Sequence, residues 1–462
     1  MKKINEMSAD RFLRLLFGIV TGSLLLAAVC MPDRAEMFTG LRALLGSTAK
    51  TPTNGFAIGG MAGTFLNAAI VSLACTLLYF LPGAKAGSGS VIAVFLTVGF
   101  AFWNLNIVNM WFGMPGILLV CLLRRQKPGE QVNAMLFTTG LAPIFSDLLF
   151  RYPGTEVHGA TWAGFGLALL SGLIIGFLLV PGMAYSPKMH GGYSLYSAAL
   201  PMGLIAFFLR AVFYTLPGAE LPGGPAADPA VASRLAVNLF FGVLFGLAVV
   251  LALLMGSRGY VRVLRDSGWK TDFQKNYGNA DFLMNFGVYG LFILLYYNVI
   301  GANFNAVTLG CIFCMLSLCA SGSHPGNVWP IMGGYVLASL IFGWLGGPDY
   351  ALGINAQAIV IGLCFASGLA PVSGRYGWLP GIIAGVIHYC LVTCVPALHG
   401  GFLLYNGGFT AAFTAFLLVP VLEYFCRVRE GKKQNLITLG KENTDEKNSR
   451  NAPAACHDGK SL

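Results

Sequence analysis

The sequence predicts an all-α integral membrane protein of about 14 transmembrane helices in two inverted-topology repeats of about seven. Three observations carry this. Hydrophobic residues make up 56% of the 462 residues and charged residues only 10%, with a mean hydropathy of +0.69. A typical soluble domain is about a quarter charged, so too few polar side chains exist to cover a soluble surface. Apolar runs close to the ~20 residues that cross a bilayer as helix recur throughout the chain. Finally, the second half repeats the first.

Each element follows from an apolar run bounded by charge or turn residues. In the first half the expected spans are 11–31, 60–82, 88–105, 109–123, 131–149, 162–183 and 193–215. In the second they are 232–256, 280–300, 303–320, 327–346, 351–372, 376–397 and 403–426. The sixty glycines lie largely inside these runs, where small residues let helix backbones approach closely. Net charge is +10, but its placement speaks of topology. Lys2, Lys3, Arg11 and Arg14, then Arg124, Arg125 and Lys127, then Arg258 to Lys275, then Arg427 to Lys433 form a positive-inside pattern, with no stripe for nucleic acid. Both termini are accordingly expected in the cytoplasm. The basic start lacks a clean cleavage site after its apolar run, which favours an uncleaved first helix.

Advancing the chain by 218 positions places Asn67 on Asn285, Tyr79 on Tyr297, Phe95 on Phe313, and Asn109-x-Trp111 on Asn327-x-Trp329. Gly140-Leu-Ala-Pro143 recurs as Gly368-Leu-Ala-Pro371, and His190-Gly-Gly-Tyr-Ser-Leu-Tyr196 as His399-Gly-Gly-Phe-Leu-Leu-Tyr405, at offsets of 228 and 209. An odd number of spans per copy makes the second enter the membrane from the opposite face. The expected organisation is a first membrane repeat over 1–215, an external linker over 216–231, a second repeat over 232–426 and a disordered cytoplasmic tail over 427–462.

The paired Asn-x-Trp segments, Gly-Leu-Ala-Pro and the repeated His-Gly-Gly-x-x-Leu-Tyr element resemble a bacterial membrane family catalogued as domain of unknown function 1576. The resemblance extends to about Phe425. It implies a bacterial multi-pass protein of the cytoplasmic membrane with an internal duplication, and it implies neither substrate nor catalytic residues. In the family the asparagine of the first copy is followed by Trp-Pro-Ile; here that reads Trp111-Phe112-Gly113, whereas Trp329-Pro330-Ile331 keeps the form.

In duplicated transporters, short or Gly/Pro-interrupted segments at matching positions point to the site. Asn109 to Leu123 and its counterpart from Asn327 qualify, and the polar loops before them add Ser323 and His324. The expected function is a transporter or channel for a small polar solute, neutral or anionic, with a site near the midplane at the repeat interface. Its expected residues are Asn67, Asn109, Trp111, Asn285, Ser323, His324, Asn327, Trp329 and His388. The alternatives are helix-packing turns with interfacial tryptophans and, for His388, a neutral histidine bonded to a carbonyl. His190 and His399 are read as opening the last helix of each copy and, with Tyr196 and Tyr405, as possible gates on opposite faces; interfacial capping is the other reading. Asp147 and Arg210 share a depth and are expected to form a buried ion pair, or else to reach the interface separately, Asp147 beside Arg151.

Eleven cysteines sit mostly in apolar runs, and Cys311-x-x-Cys314 lacks a second pair, so they are read as packing side chains with no metal. Catalytic motifs are missing, no enzyme activity or cofactor is expected, and the expected partner is the lipid bilayer, with the oligomeric state open. A structural or sensory membrane protein that moves no solute is the alternative function.

Overall fold

The structure is a computed structural model that describes residues 2–48, 53–223, 230–347 and 350–426. The expected tail over 427–462 and the centre of the expected linker, 224–229, lie outside these residues. Residues to Phe416 form one unit and the chain from Leu417 another.

Helices account for the architecture, and no strand occurs among the described residues. In chain order the longer ones are α1 (Ala9–Cys30), α2 (Met37–Leu45), α3 (Gly55–Leu78), α4 (Ser88–Ala101), α5 (Met114–Arg124), α6 (Pro128–Phe150), α7 (Trp162–Met189) and α8 (Ala199–Tyr214). Then follow α9 (Arg234–Leu254), α10 (Phe273–Val299), α11 (Ala306–Ala320), α12 (Pro325–Gly346), α13 (Gln357–Tyr376), α14 (Trp378–Val392) and α15 (Asn406–Cys426).

Among the described residues nine helices have the length and apolarity to cross a membrane: α1, α3, α6, α7, α9, α10, α12, α13 and α15. The other five expected spans are shorter apolar helices, α4, α5, α8, α11 and α14. At ~1.5 Å per residue the 11 residues of α5 reach only ~17 Å, well short of a ~30 Å hydrocarbon core. Sequence reading missed α2, which is short and packs its Gly40 against Gly59 and Gly63 of α3, where a Cβ on any of the three would lie 3 Å or less from its neighbour.

α1 shows how the helices are specified. Ser8 caps it by accepting from the Arg11 N–H at 3.4 Å, and Arg14 pairs with Asp10 at 2.9 Å one turn away. Phe12, Leu16, Val20 and Leu24 recur every four residues on its buried face, while Leu15, Ile19 and Leu26 point outward. Exposed large apolar side chains of this kind fit lipid.

Two short helices form the centre. Every residue from Ser90 to Ala101 in α4 and from Ala306 to Ala320 in α11 is buried. They cross where Phe95 stacks on Phe313, with centroids 6.3 Å apart and planes 11° apart. Glycine permits the crossing: a Cβ on Gly99 would come within 2.7 Å of the Gly310 carbonyl oxygen, and one on Gly310 within 2.5 Å of that of Gly99.

Candidate functional site

Between α4 and α5, and between α11 and α12, the chain leaves helical geometry inside the protein, which frees backbone groups that need partners. Asparagines supply them. Asn67 on α3 donates to the carbonyls of Ala101 and Leu105 at 2.9 and 2.8 Å. Asn285 on α10 donates to those of Cys319 and Ser323 at 2.8 and 3.0 Å. All three positions advance by 218. The next clamp repeats at the same offset: Asn109 accepts from the Asn106 N–H at 2.8 Å and donates to the Asn104 carbonyl at 3.1 Å. Asn327 accepts from the His324 N–H at 3.0 Å and donates to the Gly322 carbonyl at 2.8 Å. Asn104 and Gly322 both have positive φ, +71° and +137°.

The correspondence extends to the long helices. α3 and α10 are kinked at Gly60 (φ +66°) and Gly278 (φ +86°). The freed Ala62 N–H donates to the Asp33 carboxylate at 3.1 Å, and that of Ala280 to Asn5 Oδ1 at 3.2 Å.

These contacts settle where the expected site residues stand. The amides of Asn67, Asn109, Asn285 and Asn327 hold backbone, and four cavities of about 170, 80, 440 and 150 Å³ are lined by other residues. Ser323 Oγ donates to the Ser367 carbonyl at 3.3 Å, and His324 Nε2 lies 2.9 Å from the Asp266 carbonyl oxygen. Trp111 and Trp329 are 39% and 47% exposed; Trp111 lines the 440 Å³ outer groove with Leu73 and Leu77. His388 has both ring nitrogens engaged, Nδ1 by the Tyr335 hydroxyl at 2.5 Å and Nε2 by the Gly407 carbonyl at 2.9 Å.

The two halves also exchange backbone bonds. Pro143 and Pro371 interrupt α6 and α13 with a 3₁₀ turn just before each, at Gly140 and Gly368. The Gly368 carbonyl accepts from the Leu195 N–H at 2.9 Å, and the Gly140 carbonyl from the Leu404 N–H at 2.9 Å. Next in sequence, Tyr196 and Tyr405 pack edge to face at 5.5 Å. The Tyr196 hydroxyl donates to the Cys314 carbonyl at 2.8 Å. Those of Tyr405 and Tyr297 are buried without a partner among the described residues. Cys311, Cys314 and Cys364 are buried free thiols.

His190 and His399 do not open helices. Consecutive left-handed glycines, Gly191–Gly192 (φ +63°, +82°) and Gly400–Gly401 (φ +62°, +79°), reverse the chain, and the next helices begin further on at Ala199 and Asn406. His190 Nδ1 accepts from the Ser194 N–H at 3.2 Å and Nε2 lies 3.2 Å from Ser197 Oγ; burial pulls its pKa down to about 4. His399 Nδ1 lies 2.5 Å from Asn406 Oδ1, and burial lowers its pKa as well.

The expected Asp147–Arg210 pair is replaced by another. Arg151, one turn along α6, grips Asp147 with Nε–Oδ1 at 2.6 Å and Nη2–Oδ2 at 2.8 Å, and the Tyr214 hydroxyl donates to the same carboxylate. On α8 it is Tyr214, one turn beyond Arg210, that faces Asp147; Arg210 instead donates to the Leu398 carbonyl at 3.1 Å. The i, i+4 spacing of Asp147 and Arg151 was the signal in the sequence. A second cluster was missed: Arg375 lies 4.2 Å above Trp269, whose indole N–H donates to the Gly191 carbonyl at 3.0 Å.

No curated protein and no solved structure matches the chain significantly. A family model does match, over residues 33–215 and 255–424, and that family is described as protein of unknown function (DUF1576). With most of its length accounted for by that model, this multi-helical, membrane-type chain belongs to the DUF1576 family.

Proposed function

We propose that the chain is a transporter or channel for a small polar solute, neutral or anionic, built from two inverted-topology repeats of about seven spans in a bacterial cytoplasmic membrane with both termini inside. The observation that carries this reading is the exchange of bonds between halves: Leu195 to Gly368 and Leu404 to Gly140, each 2.9 Å, around the Tyr196–Tyr405 contact. Equivalent residues meeting each other is what a pseudo-twofold axis between repeats produces. Hydroxyls without a partner among the described residues, on Tyr405 of that contact and on Tyr297, support a polar path. A buried hydroxyl without a partner costs about 1–3 kcal/mol, which a dry scaffold avoids by using phenylalanine.

The second reading, a structural or sensory membrane protein, draws on a specific observation too. The four asparagines expected to line a path spend their amides on backbone carbonyls. Uptake into proteoliposomes of purified protein, across neutral and anionic solutes, separates the two. Saturable flux of any one solute supports transport. Folded, correctly inserted protein that moves none of them supports the scaffold.

A further inference from the structure

One cavity has a chemistry of its own. It measures about 150 Å³ and is lined by Ala358 and Ile361 of α13, Val392 and the adjoining Thr393 at the end of α14, and Asn406 and Gly407 at the start of α15. Its walls are apolar except at Thr393 and at that last point. Asn406 is 3% exposed, and its amide nitrogen Nδ2 has no hydrogen-bond partner. It is also the first residue of a 21-residue helix, whose opening N–H groups have no acceptor within the helix and carry the positive end of its dipole.

The amide and carbonyl acceptors of Asn406 and Gly407 are already engaged. Asn406 Oδ1 is held by His399 Nδ1 at 2.5 Å, and the Gly407 carbonyl by His388 Nε2 at 2.9 Å. Thr393 directs its hydroxyl to the Cys390 carbonyl at 2.9 Å. No carboxylate lines the cavity, and the Arg210 guanidinium sits on the Leu398 carbonyl next to His399. What remains free is a buried donor pair on Asn406 at a positive helix end, facing aliphatic walls.

We infer that this cavity binds a short-chain monocarboxylate, with the carboxylate on Asn406 Nδ2 and the α15 N-terminus and the alkyl tail against Ile361 and Val392. The combination excludes cations, which need acceptors, and bare inorganic anions, which leave the aliphatic wall unused. Binding here does not depend on transport.

The test is a thermal-shift titration of purified full-length protein with potassium propionate, against potassium chloride, potassium nitrate and propionamide at matched ionic strength. Propionate is expected to stabilise the protein saturably and at lower concentration than the other three. Asn406→Ser, which installs the residue of the matching position Ser197, is expected to weaken propionate at least tenfold. Ala358→Phe, at an exposed position of the cavity wall, is expected to abolish binding without touching any polar group, and serves if the Asn406 variant fails to fold. No saturable shift with propionate, equal response to propionamide or to chloride or nitrate, or undiminished binding by both variants each overturns the inference. Propionate binding with no uptake of any solute in proteoliposomes would sink the transport reading alone. Uptake of some solute with no propionate binding would sink this inference alone.

Discussion

The turn at His190 and the turn at His399 start from one motif and end differently. Both use two left-handed glycines, and both place a leucine N–H on the other half's interrupted helix. At His190 the ring nitrogens are both occupied, by the Ser194 N–H and Ser197, and Ser197 in turn donates to Ser186 at 3.3 Å. At His399 the partner is the bulkier Asn406, whose amide nitrogen is left over beside a cavity. The same divergence marks the ends of α6 and α13. Asp147 aligns with Arg375 at the 228 offset, so a carboxylate clasped by Arg151 corresponds to a guanidinium stacked on Trp269. Backbone-holding contacts recur in matching pairs, while the side chains at the ends of the matched segments differ.

Four measurements break or sharpen this comparison. The largest effect is all-or-none. Single cysteines placed at Ala226 and Lys275 are expected on opposite membrane faces, so an impermeant thiol reagent added to intact cells should label the first and spare the second; equal labelling would end the inverted-repeat reading. Next, Arg151→Ala is expected to lower stability by about 3–5 kcal/mol because it strands the Asp147 carboxylate, whereas Arg210→Ala should cost under about 1 kcal/mol. Thermal melting of the two variants decides this, and equal losses would restore Arg210 as a partner.

Third, Asn67→Ala and Asn285→Ala should each cost about 1–3 kcal/mol, by similar amounts, since each strands two carbonyls in matching places. A copy that tolerates the change would not be held by its clamp. The smallest effect concerns pH. His190 has a folded pKa of about 4 against an ordinary value of 6.5, so the folded state binds fewer protons than the unfolded. Its contribution, on the order of 1–3 kcal/mol, is present above pH ~6.5 and is lost as pH falls toward 4. His190→Gln should flatten the melting temperature between pH 7 and 4.5 relative to the parent; an unchanged slope would show that other groups set it.

Much of the fold was legible because its signals are local or duplicated. The apolar runs mark every long helix among the described residues, and the matching segments single out Asn67, Asn109 and their partners. Their role was not legible: an asparagine in an apolar run reads alike whether it faces a solute or a carbonyl, and only the neighbouring backbone decides. Arg210 looked buried by depth alone, because depth along a helix says nothing of azimuth, and it is Tyr214 that faces α6. Asn406 passed unnoticed because its singularity lies in a partner it lacks. The short α2 carries too few residues for a periodic signal, and glycine contacts with α3 hold it.

The exchanged bonds also bear on how the protein is made. The Leu195 N–H is synthesised well before the Gly368 carbonyl that receives it, a wait of roughly 9–35 s at ordinary elongation rates. Throughout that interval the nascent first half sits in the insertion machinery with a backbone donor that its own sequence does not satisfy. Water, lipid headgroups or a chaperone must occupy it until the later half arrives. Two separately translated halves would meet the same requirement by association, each unfinished until it finds the other.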